Sequence, residues 1–315
     1  MTIKQREVKL KKIDDFYNLV KLNAKAIEKY TISRLVEYGY EVINGDGYIY
    51  AKGIRPVLLV TSIETKFGKL PKNISIDNNY RLLAPIKGEF EFYHCGIYAL
   101  LQIAKECNCD VLIVTDNTNE GGHRRFLASQ EGISARKNYN CIVEIDYTNE
   151  ESDENFLETT FFTGYVDEFG RDKEFIDFAR QFGYEDSICL RNSNYIVQLT
   201  PVLEAAGINI NCGYMLQEIP TLSKKTESKN LELSSYINFD YLCESINHAK
   251  EMIKSCNKRY PYIYKGENEA AKATLLMCKM GKFKKEHTSK KERNKLALEI
   301  MSELEELVGS KDLSE

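Results

Sequence analysis

The stretch V-L-L-V-T-S-I-E-T, Val57 to Thr65, decides the fold. A short apolar run that turns polar toward its end reads as a strand buried on both faces, with its carboxyl end opening where α/β proteins keep their chemistry. Side chains alternate along a strand, so Ser62 and Glu64 point to the same side and can reach one site.

On the amino-terminal side, Ile13 to Tyr38 carries apolar residues at helical spacing (Phe16, Leu19, Val20, Ile27, Leu35), which predicts one or two helices packed on a core. Tyr40 to Ala51 changes period, and Asn44-Gly45-Asp46-Gly47 in its middle has the turn chemistry of a β-hairpin. On the carboxyl side, Gly88 to Lys105 ends as an apolar helix through Ile97, Leu100, Leu101 and Ala104. Asp110 to Thr115 is a second buried strand running into Asp116 to Gly122, and Cys141 to Asp146 is a third with a carboxylate at its end. Strands separated by helical patterns predict a mixed, largely parallel sheet covered by helices on both faces. Further along, Arg171 to Phe182 reads as a helix stopped at Gly183. Ile188-Cys189-Leu190 and the polar Arg191 to Asn194 come next, followed by a short strand or turn ahead of Pro201. Pro201 to Ala206 reads as a helix with the proline in its first turn, Ile208 to Tyr214 as an inner strand, and Asn238 to Ser255 as a covering helix.

Composition sets the outer bounds. With 315 residues, 43% hydrophobic content and a net charge of -4, the chain buries a full core and is neither disordered nor globally basic. No charged start followed by an apolar segment opens the chain, and no run reaches the roughly 18 apolar residues of a membrane span. The expectation is a cytoplasmic protein. Nine cysteines without regular spacing argue against a disulfide framework, and the C-x-C of Cys107 and Cys109 has no second pair at finger-like spacing.

Taken together and in order, V-L-L-V-T-S-I-E-T, F-Y-H-C-G-I-Y-A-L-L, T-D-N-T-N-E-G-G, I-V-E-I-D and N-I-N-C-G-Y resemble the co-catalytic zinc aminopeptidase and carboxypeptidase clan over roughly residues 35 to 255. The resemblance implies a zinc exopeptidase-like fold. Active members carry H-x-D at the first strand end, D-D before the glycine-containing helix, E-E before G-G, an Asp closing the next strand and a later His. Together these hold two zinc ions and a general base.

Against that pattern, Ser62 stands in the place of the His and Glu64 in that of the Asp; Phe92 and Tyr93 occupy D-D, and Thr118 and Asn119 fall on E-E. A slip of one residue would return Glu120 to the second Glu. Asp146 alone matches cleanly, and Glu218 falls near the place of the last His. Aromatic rings do not coordinate as carboxylates do, so bridging and proton transfer are lost together. No catalytic residue is therefore assigned, and no cofactor is expected. The alternative is a rebuilt metal site, zinc or manganese, drawn from Glu64, His94, Glu120, His123, Asp146 and Glu218. Read without the resemblance, His94 opens a helix, His123 with Arg124 and Arg125 forms a solvated turn, and the carboxylates pair with neighbouring cations. Ser62 has no G-x-S-x-G elbow around it, so a serine nucleophile is not expected.

The expected organisation is an exopeptidase-like domain over residues 1-257 and a basic linker with an amphipathic helical extension over 258-315. In the latter, Ser289-Lys290-Lys291-Glu292 makes a capping box ahead of a Leu296, Ile300, Leu304 stripe. The sequence thus points to a catalytically degenerate binding, scaffolding or inhibitory module, with a metal-dependent peptidase or amidohydrolase as the alternative. Its expected partner is a protein, a peptide-like ligand or a second copy of the chain; neither a membrane nor nucleic acid is expected.

Overall fold

The computed structural model describes residues 3–63, 74–76, 81–85, 93–115, 121–148, 158–162, 173–186, 195–221 and 232–262. Two helices open the chain, α1 (Ile3–Leu19) and α2 (Ala24–Glu37). Asn23 caps α2 by accepting from the Ala26 amide at 2.9 Å, which satisfies one of the donors a helix start leaves over. The hairpin follows as β1 (Glu41–Gly45) and β2 (Tyr48–Lys52), paired with Gly45 opposite Tyr48. Its two-residue turn, Asp46-Gly47, places Gly47 at φ 79°, a conformation that glycine adopts without a side-chain clash.

The decisive stretch forms β3 (Arg55–Ser62), followed by β4 (Ser75–Ile76), β5 (Arg81–Pro85), α3 (Tyr93–Cys107) and β6 (Cys109–Val114). Next come α4 (Gly122–Ala128), α5 (Gln130–Ser134), β7 (Cys141–Thr148), β8 (Glu158–Phe162), α6 (Lys173–Arg180) and β9 (Glu185–Asp186). The described chain finishes with α7 (Ile196–Leu203), β10 (Gly207–Thr221), β11 (Glu232–Asn238), α8 (Phe239–Ser255) and the segment to Tyr262. The sheet order is β1-β2-β6-β3-β7-β10-β11-β5-β4. Its centre, β6-β3-β7-β10, is parallel, while the hairpin side and the β10-β11-β5-β4 side are antiparallel. This is the mixed, largely parallel α/β sheet that the sequence predicts.

The unbroken V-L-L-V run is explained by two cores. Val57 and Leu59, with Val111, Ile113, Val143, Ile145, Ile208 and Ile210, pack under α1, α2, α3, α6 and α8. Leu58 and Val60, with Leu112, Val114 and Ile142, pack under α4, α5 and α7. A strand covered on both sides has no polar face to alternate with, so its period is hidden.

One helix departs from expectation. Pro201 lies inside α7, which begins at Ile196, rather than in a first turn. The carbonyl that loses its helical partner belongs to Val197, 51% exposed, so water can supply the missing bond and the proline is tolerated. Helix α6 does run to a Gly183 stop with φ 82°. Residues 258–262 still lie on the domain. The Tyr260 amide donates to the Asn140 carbonyl, its own carbonyl accepts from Ala206, and its ring stacks on Phe178 at 5.1 Å. Ile188 to Asn194, the capping box and the Leu296 stripe lie outside the described residues. Among the described residues, no helix is long and apolar enough to cross a membrane.

Candidate functional site

The parallel strands β3, β6, β7 and β10 end together, and their carboxyl ends are where a site on this architecture is built. Ser62, half-buried, closes β3 opposite Val114 of β6. Below it, Val60 is abreast of Glu144 in β7, and Glu144 is abreast of Asn209 in β10. Both polar residues are deeply buried, 4% and 0% exposed, and the Asn209 side-chain amide donates to Glu144 Oε2 at 3.3 Å. Burying a carboxyl group in a sheet interior costs several kcal/mol unless hydrogen bonds compensate, and the Asn209 amide supplies one such bond just beneath the strand ends. One step further up, Asp146 is abreast of Asn211.

The sequence reading passed over Glu144 and Asn209. The signal was there: in C-I-V-E-I-D and I-N-I-N, a polar residue stands at positions that burial on both faces would make apolar.

The two histidines are placed on opposite sides of the sheet. His94 sits in the first turn of α3, fully buried, with Nε2 3.0 Å from the Leu22 carbonyl. His123 sits in α4, whose Phe126 and Leu127 belong to the other core. It is not in a solvated turn: it is 6% exposed, meets Tyr195 edge-on at 5.3 Å, and has Nε2 2.8 Å from Gln198 Oε1 of α7. Arg124 Nε, which can only donate, reaches the same oxygen at 2.9 Å. The shared atom is therefore the amide oxygen, His123 Nε2 carries the proton, and Nδ1 presents a lone pair that has no hydrogen-bond partner among the described residues. Burial, opposed by the Gln198 bond and assisted by Arg124 and Arg125, holds the imidazole below its usual pKa and keeps it neutral.

Two glycines of the quoted motifs are explained by close approach. A Cβ on Gly96 of α3 would stand 2.5 Å from Thr61 Oγ1, which itself donates to the Ile145 carbonyl at 3.1 Å. A Cβ on Gly122 would fall on the Gly47 carbonyl oxygen, so α4 can start against the hairpin turn only through glycine. Arg125 fastens the same junction by donating from Nε to the Asp46 carbonyl at 2.5 Å.

Of the remaining sequence candidates, Glu64, Phe92, Thr118, Asn119 and Glu120 lie outside the described residues. Tyr93 is the first residue of α3, and Glu218 falls at a bulge in the pairing of β10 with β11. The strand from Asn211 to Glu218 spans roughly 20 Å at the usual rise, so the register does not set Asp146 and Glu218 abreast. Among the described residues, no three His, Cys, Asp or Glu side chains converge as metal ligands. A serine hydroxyl in the place of the first imidazole, with the two histidines on opposite faces, does not fit the two-zinc arrangement that the resemblance implies.

No family model matches the chain, and no curated protein matches it. Solved structures do. The chain is similar in fold to peptidases. The Legionella pneumophila LapA aminopeptidase aligns with 11% identity over 84% of this chain and 76% of its own, at a TM-score of 0.46. PhTET1-12s, a dodecamer in its asymmetric unit, aligns with 9% identity over 77% and 97%, at 0.41. The aminopeptidase PepT from Bacillus cereus aligns with 13% identity over 87% and 82%, at 0.35.

Proposed function

We propose that this protein is a catalytically degenerate, exopeptidase-like binding module that engages a protein or a peptide-like ligand at the carboxyl ends of its central strands. The observation that carries the reading is the chemistry of that edge. Ser62 closes β3, and the carboxylate beneath it, Glu144, is engaged by the Asn209 amide rather than presented to solvent. Hydroxyls and amides bind peptide backbone and polar side chains by hydrogen bonding, and they neither hold a metal pair nor supply a general base. Fold alone does not carry activity.

A second reading is favoured by one observation. His123 donates its Nε2 proton to Gln198 and keeps a lone pair on Nδ1, the tautomer and second bond that a metal-ligating histidine has. A metal-dependent peptidase or amidohydrolase with a rebuilt zinc or manganese site would draw on His123 with Glu64, Glu120, Asp146 or Glu218.

Metal content and turnover separate the two. Protein purified without chelator is assayed for zinc, manganese and cobalt and incubated with aminoacyl arylamides and acyl-amino acids. The binding reading predicts substoichiometric metal and no turnover above the uncatalysed rate. Stoichiometric metal with turnover that a chelator abolishes would establish the enzyme.

A further inference from the structure

At the amino-terminal edge of the sheet, remote from the strand ends, two thiols from distant parts of the chain meet. Cys141, the first residue of β7, and Cys256, the residue that ends α8, bring their Sγ atoms to 3.5 Å. Bonded sulfurs lie about 2.05 Å apart, so closure requires an approach of about 1.5 Å. The backbone already holds the pair together: Asn140, the neighbour of Cys141, donates from its side-chain amide to the Cys256 carbonyl at 3.0 Å. Cys256 lies past the last helical turn, with its amide on the Ile253 carbonyl, and so can shift without breaking the helix.

The two thiols are not equivalent. Arg55 lies under the carboxyl ends of α3 and α8, donating to the carbonyls of Cys107, Ile253 and Lys254. The hydrogen bond from Cys141, with Arg55 nearby, lowers the Cys256 thiol below its ordinary value, whereas the same bond together with burial raises Cys141. Cys256, past the end of α8 and next to residues that line an open cleft, is the thiol placed to react first, and Cys141, 0% exposed at the start of β7, is the one placed to resolve it. Both are buried, but Ser255, Asn257 and Lys258 line an open cleft of about 650 Å³ shared with Glu174, Phe178 and Tyr260 of the α6 side. Cys256 itself lies one residue behind that lining, 1% exposed, so an oxidant reaches it from the cleft when the segment after α8 shifts.

We propose that Cys141 and Cys256 form an oxidisable dithiol that a hydroperoxide converts to a disulfide. The Cys256 thiolate attacks the peroxide oxygen; an S–O bond forms, the O–O bond breaks, and the departing hydroxide takes the thiol proton and leaves as water. The Cys141 sulfur then attacks the Cys256 sulfenic sulfur, forming S–S and breaking S–O, and a second water leaves with the Cys141 proton. Two electrons pass from the sulfurs to the peroxide. The link joins β7 to the end of α8 across a long loop, which restricts the unfolded chain and stabilises the fold, and an excess of small thiol reverses it.

The test is peptide mapping of the full chain after treatment with one equivalent of hydrogen peroxide, rapid alkylation and non-reducing digestion. The expected product joins the Cys141 and Cys256 peptides, is accompanied by a rise in Tm of several degrees, and disappears with dithiothreitol. Cys256→Ser abolishes the product and Cys107→Ser leaves it; the wild-type map decides the matter even if a variant fails to fold. Recovery of alkylated Cys141, a link between Cys107 and Cys109 instead, or Cys256 found only as sulfinic acid would overturn the proposal.

Discussion

The two ends of the central strands are built differently. At the amino-terminal edge, buried charges are tied into the frame. Asp110 at the start of β6 accepts from Tyr50 at 2.6 Å, Tyr139 at 2.8 Å and the Gly53 amide at 2.7 Å, and Lys250 of α8 donates to Glu106 of α3 at 2.6 Å. At the carboxyl edge, Ser62 is half-buried at a strand end, Glu144 is paired with an amide, and His123 keeps a lone pair with no partner among the described residues. One end holds the fold together, while the other is the edge proposed above to bind a ligand. Substitutions at the two edges should therefore divide into those that cost stability and those that do not.

The largest effect belongs to Asp110→Ala. It removes the acceptor shared by two buried hydroxyls and a backbone amide, with an expected loss of about 4 kcal/mol in urea unfolding. A loss below about 1 kcal/mol would mean that the amino-terminal edge is not the frame described. Next comes Gly122→Ala, where the new Cβ meets the Gly47 carbonyl and α4 must move off the hairpin, at an expected cost of about 3 kcal/mol by thermal or chemical melting.

Smaller, and specific to pH, is His123. Burial lowers its folded pKa below the ordinary imidazole value, so as pH falls the unfolded chain binds the proton first. Its contribution is complete above the unfolded pKa and fades as pH drops toward the folded one. His123→Gln should flatten the decline of Tm between about pH 7 and pH 5 relative to wild type; an unchanged slope would show that the imidazole is not held neutral. The smallest effect is Ser62→Ala, expected within about 0.5 kcal/mol of wild type, since Ser62 is only half-buried at a strand end. A large loss there would erase the contrast between the two edges.

Much of the frame is legible in the residues. V-L-L-V marks a strand covered on both sides, N-G-D-G a two-residue hairpin turn, and Gly183 a helix stop, because each is fixed by local steric and burial rules. Pro201 misled because a helix tolerates a proline when the freed carbonyl is near water, a property of tertiary placement. His123 misled for a related reason. The neighbouring Arg124 and Arg125 suggest a solvated turn, yet Arg124 shares Gln198 with the histidine and Arg125 fastens the hairpin. Glu144 and Asn209 carried a sequence signal, but which strands would lie abreast was needed to pair them.

This fold is proposed above to serve binding without a resident metal pair. Calorimetric titration of chelator-stripped full chain with zinc, paired with an aminoacyl arylamide assay on the loaded protein, tests it most directly. The claim predicts no saturable two-equivalent binding and no turnover above background. Two equivalents bound with micromolar or tighter affinity, together with chelator-sensitive turnover, would contradict it.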